Sequence, residues 1–131
     1  MVKIKAEWKG GMKFEGSNEK GAKAEIAGDG SAPAPMELVL MALGSCTGMD
    51  VVSILEKMHV SFEALEIEVK GEKAEEHPKV YTDIEIVYKI KGDVDEEKAK
   101  RAVELSMERY CSVSAMLKKS AEVNYRVEFL R

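Results

Sequence analysis

Met36-Glu-Leu-Val-Leu-Met-Ala-Leu-Gly-Ser-Cys46-Thr-Gly-Met-Asp50-Val-Val-Ser-Ile-Leu55 is the stretch on which the fold turns. It is the longest apolar run in the chain, and length alone would suit a membrane span. It carries Glu37 and Asp50, however, and a charge near mid-bilayer costs about 2.5–3.5 kcal/mol on insertion scales. The stretch therefore reads as a core helix of a water-soluble domain, from about Pro35 to Met58. Pro35 suits the first turn, where its missing N–H is an orphan anyway. Glu37 near the start and Lys57 near the end complement the helix dipole. Apolar residues surround much of the middle, which predicts burial on more than one side.

Upstream, Val2, Ile4, Ala6 and Trp8 alternate with charged residues and predict a half-buried strand. Gly10-Gly11 marks a turn; Met12 and Phe14, then Ala22, Ala24 and Ile26, continue the alternation as two more short antiparallel strands. Gly28-Asp-Gly-Ser-Ala-Pro-Ala-Pro35 is a loop rich in glycine and proline. Downstream, Leu65, Ile67 and Val69, and then Val80, Thr82, Ile84, Ile86, Tyr88 and Ile90, predict two long strands with a turn at Glu75-Glu76-His77-Pro78. Asp93 or Asp95 is placed to cap a helix from about Glu96 to Tyr110, with Ala99, Ala102, Val103, Leu105 and Ser106 inward. Cys111 opens a short helical piece through Lys119, and Val123, Tyr125, Val127 and Phe129 form a last strand. The order βββ-α-ββ-α-α-β argues for one α+β domain over residues 1–131, with antiparallel strands around a long buried central helix.

Composition narrows the function. The chain has 131 residues, 45% hydrophobic and 34% charged, with a net charge of −4. No basic block occurs and the pI is about 5.3, which speaks against nucleic-acid binding. Met1 leads straight into charged alternation, so no signal peptide is expected and a cytoplasmic location follows. There thiols stay mostly reduced. Two cysteines are too few for a disulfide scaffold, so their chemistry matters more than their value as a staple.

Cys46 falls mid-helix and Cys111 at a helix start, and spacing alone does not bring them together; free cysteines often merely pack. Cys111 near a helix N-terminus, with Arg109 close by in sequence, predicts a lowered thiol pKa. Gly44, Ser45, Thr47 and Gly48 around Cys46 are poor helix formers. They permit either tight helix packing or approach to the sulfur. His59 and His77 lack zinc-ligand spacing, so no metal or other cofactor is expected. Met36, Met41, Met49, Met107 and Met116 fall at core helix positions.

Two blocks, Ala34 to Leu55 around Cys46 and Tyr110-Cys-Ser-Val-Ser-Ala-Met-Leu117 around Cys111, resemble the OsmC/Ohr family of thiol-dependent peroxide-reducing proteins. Within it the chain is most similar to the YhfA-like branch, through Pro-Met-Glu-Leu-Val-Leu-Met-Ala and Asp-Val-Val-Ser-Ile-Leu. The resemblance implies an OsmC-like fold and an intertwined homodimer with active sites at the subunit interface. It implies that Cys46 is the peroxidatic thiolate, attacking an organic hydroperoxide to give a sulfenic acid. Cys111 is then the resolving thiol, and a lipoyl or thioredoxin-like dithiol resets the pair.

The chain departs from the family pattern where the thiolate is activated. The best-studied members of the family hold it with an Arg–Glu pair, the Glu ten positions before the first cysteine. Met36 stands there in this chain, and Glu37, one step along, is turned by about 100°. No arginine precedes Arg101. Lys9, Lys13, Lys20 and Lys23 are present, but lysine does not reproduce a bidentate fork on a carboxylate. Asp50 shares the helix face of Cys46 and, if close, opposes thiolate formation. A second expectation therefore stands beside peroxide reduction: a dimer that binds a small apolar or electrophilic molecule near its thiols with little or no catalysis.

Overall fold

The computed structural model describes all residues, 1–131. The chain separates into two compact units, Met1–Val39 and Leu40–Arg131.

The first unit is a three-stranded antiparallel sheet, β1 (Ile4–Trp8), β2 (Lys13–Asn18) and β3 (Lys23–Ala27), in the order β1-β2-β3. Register places Trp8 opposite Phe14 and Phe14 opposite Ile26, so the alternation read from the sequence gathers one apolar stripe. The stripe is not half-buried: Ile4 is 66% exposed and Trp8 63%. Three short strands have too little material of their own to cover it.

The long helix α1 (Pro35–Lys57) begins at the end of this unit. Glu37 Oε1 accepts the Ala34 amide at 2.9 Å, satisfying a donor at the helix start. In the second unit α1 buries Leu43, Thr47, Val51 and Leu55, with Gly44 and Gly48 beside them. These lie four residues apart and form one stripe. Burial on more than one side does not occur within the chain, because Met41 and Met49 remain exposed. α1 is long and apolar enough, by length and composition, to cross a membrane. Its stripe of Leu43, Val51 and Leu55 is instead buried in the chain's own core, where Thr47 is hydrogen-bonded to Tyr88 and Ser106, as in a core helix.

β4 (Ala64–Lys73) pairs antiparallel with β5 (Tyr81–Lys91), whose Ile84, Ile86, Val87, Tyr88 and Ile90 are buried. β6 (Glu122–Leu130) lies on the other side of β5 and runs parallel to it. The expected antiparallel arrangement thus holds for β1 to β5 but not for β6. The physical reason is the connection: two strands joined by helices span the crossover that a parallel pair needs. That connection comprises α2 (Glu96–Leu105), a π-helix (Ser106–Tyr110) and α3 (Ser112–Leu117). Asp95, not Asp93, caps α2, accepting the Lys98 amide at 3.2 Å. Asp93 pairs with Arg131 instead. The helix expected to run unbroken to Tyr110 changes pitch at Ser106. The Cys111 amide closes the wider turn on the Ser106 carbonyl at 2.8 Å.

Candidate functional site

Cys46 projects from the middle of α1 and is half-buried; Cys111, the residue that caps α3, is 3% exposed. Both thiols are free. The second unit brings them together: Cys46 is close enough to act on the ionisation of Cys111 by hydrogen bonding as well as by charge. Cys111 Sγ accepts the Ser114 amide at 3.4 Å, the capping contact of a helix start. That contact favours the thiolate, as the sequence led one to expect, but burial outweighs it. Burial foremost, with Cys46 and Asp50 adding to it, pushes the Cys111 thiol up to about 11. The expectation of a lowered Cys111 pKa is therefore overturned by desolvation.

Beside the thiols runs a buried chain of hydroxyls. Ser106 Oγ donates to Asp50 Oδ2 at 2.9 Å. Thr47 Oγ1 lies 2.7 Å from Ser106 Oγ and 2.7 Å from the Tyr88 hydroxyl. A carboxylate only accepts, so donation runs in one sense, from Tyr88 to Thr47 to Ser106 to Asp50. Thr47, Ser106 and Tyr88 are fully buried and Asp50 is half-buried. Burial raises the Tyr88 phenol above its ordinary value, so it stays a donor. The π-helix makes this possible, since it starts at Ser106 and ends just before Cys111.

Residues 28–126 match the OsmC-like protein family. The chain belongs to the OsmC family. It is 36% identical over 130 residues to Protein YhfA of Escherichia coli strain K12, covering 97% of each chain. A crystal structure of a hypothetical protein from Aquifex aeolicus VF5 is 35% identical, with a TM-score of 0.87 over 100% of this chain and 98% of that one. The organic hydroperoxide resistance protein OhrB of Bacillus subtilis superposes with a TM-score of 0.67 over 98% of each chain, at 19% identity, which speaks to the fold alone.

The remaining residues singled out in this OsmC chain have ordinary occupations. Glu37 serves the start of α1, as described. Lys9 pairs with Glu7 and Glu15, and Lys23 with Glu15, within the N-terminal sheet unit. Arg109 stacks over the Tyr110 ring, 5.9 Å from its centroid. His59 closes α1 with a left-handed φ of 58°. Gly44 and Gly48 serve packing: a Cβ on Gly48 would meet Ile67 Cδ1 at 2.9 Å, and one on Gly44 would meet Val69 Cγ2 at 3.2 Å. Of the methionines assigned to the core, Met107 is buried, but Met41, Met49 and Met116 are exposed. The hydroxyl chain is what sequence reasoning missed. Its signal was available, because Thr47 and Ser106 are polar residues at apolar-face positions of their helices.

Proposed function

We propose that this OsmC-family protein reduces organic hydroperoxides by a two-cysteine mechanism. The observation that supports it most is the pairing of a half-buried, reachable Cys46 with a buried Cys111 inside one unit. The family includes organic hydroperoxide resistance proteins. The Cys46 thiolate attacks the terminal oxygen of the hydroperoxide; an S–O bond forms and the O–O bond breaks. The alkoxide leaves as an alcohol after taking a proton, and Cys46 becomes a sulfenic acid. Cys111 condenses with it to a disulfide and releases water. A dithiol reductant, a lipoyl group or a thioredoxin-like protein in the cytoplasm, then restores both thiols.

The working species in this reading is a homodimer of single-domain chains. The apolar surface left uncovered on α1 by Met41 and Met49, with exposed Tyr110 and Met116, supports it. Steady-state consumption of cumene hydroperoxide with a dithiol tests the activity. Cys46→Ser abolishes turnover; undiminished turnover in that variant excludes the mechanism.

One observation favours a second reading. The groups that act most on Cys111 include the Asp50 carboxylate, whose negative charge helps hold the thiol protonated. The protein would then bind an apolar or electrophilic molecule at the thiols without turnover. A ligand that copurifies in native mass spectrometry, with no thiol loss under peroxide, would favour this reading over the first.

A further inference from the structure

We propose that Asp50 is the base that takes the Cys111 proton when the disulfide closes, and that Ser106, Thr47 and Tyr88 are positioning residues that hold its carboxylate for that purpose. The inference rests on reading Cys46 and Cys111 as a redox pair.

The need for a base comes from the site itself. Cys111 is buried, and its thiol is held protonated far above neutral pH. A thiol attacks only as its thiolate, and at neutral pH about one Cys111 in ten thousand is ionised when the pKa is about 11. The groups that act most on Cys111 are Cys46 and Asp50 from α1 and the Ser114 amide from α3; Tyr88 on β5, itself acted on by Tyr125 on β6, interacts with it as well. Cys46 is the electrophile once oxidised, and Tyr88 stays protonated. Of these groups, Asp50 is the one able to accept the proton.

Its geometry suits the role. Oδ2 is held by Ser106, whose own oxygen is fixed by Thr47, which is fixed by Tyr88. Three buried hydroxyls thus stand in a row behind one carboxylate oxygen, Oδ2, and fix the carboxylate from that side. Asp50 lies one helical turn from Cys46 on α1, and Ser106, which holds its carboxylate, also accepts the Cys111 amide through its carbonyl at 2.8 Å, so the carboxylate is kept on the side of the two thiols. In the step itself the Cys111 S–H bond breaks and its electron pair forms the S–S bond to Cys46. The S–O bond of the sulfenic acid breaks as hydroxide leaves. The proton passes from Cys111 to Asp50 and on to the hydroxide, giving water, so Asp50 ends as it began.

The test uses two oxidants on the full chain. With 4,4′-dithiodipyridine, Cys46 first forms a mixed disulfide and releases one thiopyridone; attack by Cys111 releases a second. Single-turnover rates of that second release are compared for the wild type, Asp50→Asn and Ser106→Ala from pH 6.5 to 10.5. Asp50→Asn should slow it by on the order of 10²-fold at pH 7, within the usual range for a lost general base. The variant's rate should then climb about tenfold per pH unit towards pH 11, where free thiolate replaces the base, and so converge on the wild type. Ser106→Ala should lose about tenfold with the same convergence, and Asp50→Glu should recover part of the rate. A wild-type rate in Asp50→Asn at pH 7 would overturn the proposal, as would an equal loss at every pH. Cumene hydroperoxide with dimedone is the second arm: Asp50→Asn should accumulate more trapped Cys46 sulfenic acid. If wild-type Cys46 is not oxidised by peroxide at all, the peroxidase reading fails, while the thiopyridone rates still decide the role of Asp50.

Discussion

Cys46 and Cys111 differ in exposure, and this sets an order of reaction. Alkylation by iodoacetamide followed by peptide mass mapping should modify Cys46 first. The Cys111 rate in the folded protein should keep rising with pH until about 11, because deprotonation of a raised thiol is completed only there. Faster labelling of Cys111 at neutral pH would contradict the burial argument. The buried hydroxyls divide just as clearly. Thr47 is the middle of a chain, and Thr47→Val leaves the Tyr88 hydroxyl without its acceptor and Ser106 without its donor. It should cost about 2 kcal/mol or more in urea denaturation. Ser114 Oγ is buried with no partner, so Ser114→Ala should leave stability unchanged or raise it by up to about 1 kcal/mol. The two cysteines were legible in the sequence as candidates, and so was Asp50 on the face of Cys46. The Cys111 ionisation was not. A helix start is visible in sequence, but the desolvation that overrides it belongs to tertiary packing.

At the scale of elements, small residues turned out to mark close approaches. β4 crosses α1 at Gly44 and Gly48, while the Tyr81 ring of β5 lies over Gly71 of β4, where an added Cβ would meet ring carbons at 2.6 Å. These contacts differ in what can yield. Gly48→Ala meets only the flexible end of Ile67 and gains helix propensity of about 1 kcal/mol, so its melting temperature should stay near the wild type. Gly71→Ala meets a rigid ring and should lose about 1–3 kcal/mol, the usual cost of overpacking. Equal melting temperatures for the two variants would refute the distinction. Periodicity of 3.6 and of 2 gave α1 and the strands their types and order. It could not give the π-helix at Ser106, since one extra residue in a turn leaves no mark on an apolar pattern. It could not give the direction of β6 either, because alternation is the same in parallel and antiparallel strands.

For the whole molecule, the apolar residues that stay exposed are the most informative. The sequence predicted burial of α1 on more than one side and a half-buried first strand, yet within the single chain Met41 and Met49 of α1 stay exposed and β1 is exposed along its whole length. Ile4, Trp8, Met41 and Met49 are left facing outward. In the proposed homodimer a second copy of the chain covers such surface, so light scattering should give the mass of a dimer, and Met49→Glu should shift it towards the monomer. A wild-type monomer at micromolar concentration would contradict that assembly. The family resemblance was readable from two short blocks because they hold both cysteines in their helical contexts. The missing Arg–Glu pair was readable too, whereas the hydroxyl chain ending on Asp50 emerged only when α1, β5 and the π-helix were set side by side. The proposed reduction depends on the two sulfurs acting as one redox unit. Its most direct test is non-reducing peptide mass mapping after one equivalent of cumene hydroperoxide: a Cys46–Cys111 disulfide within one chain is the predicted product, and two thiols still free after the peroxide treatment would contradict it.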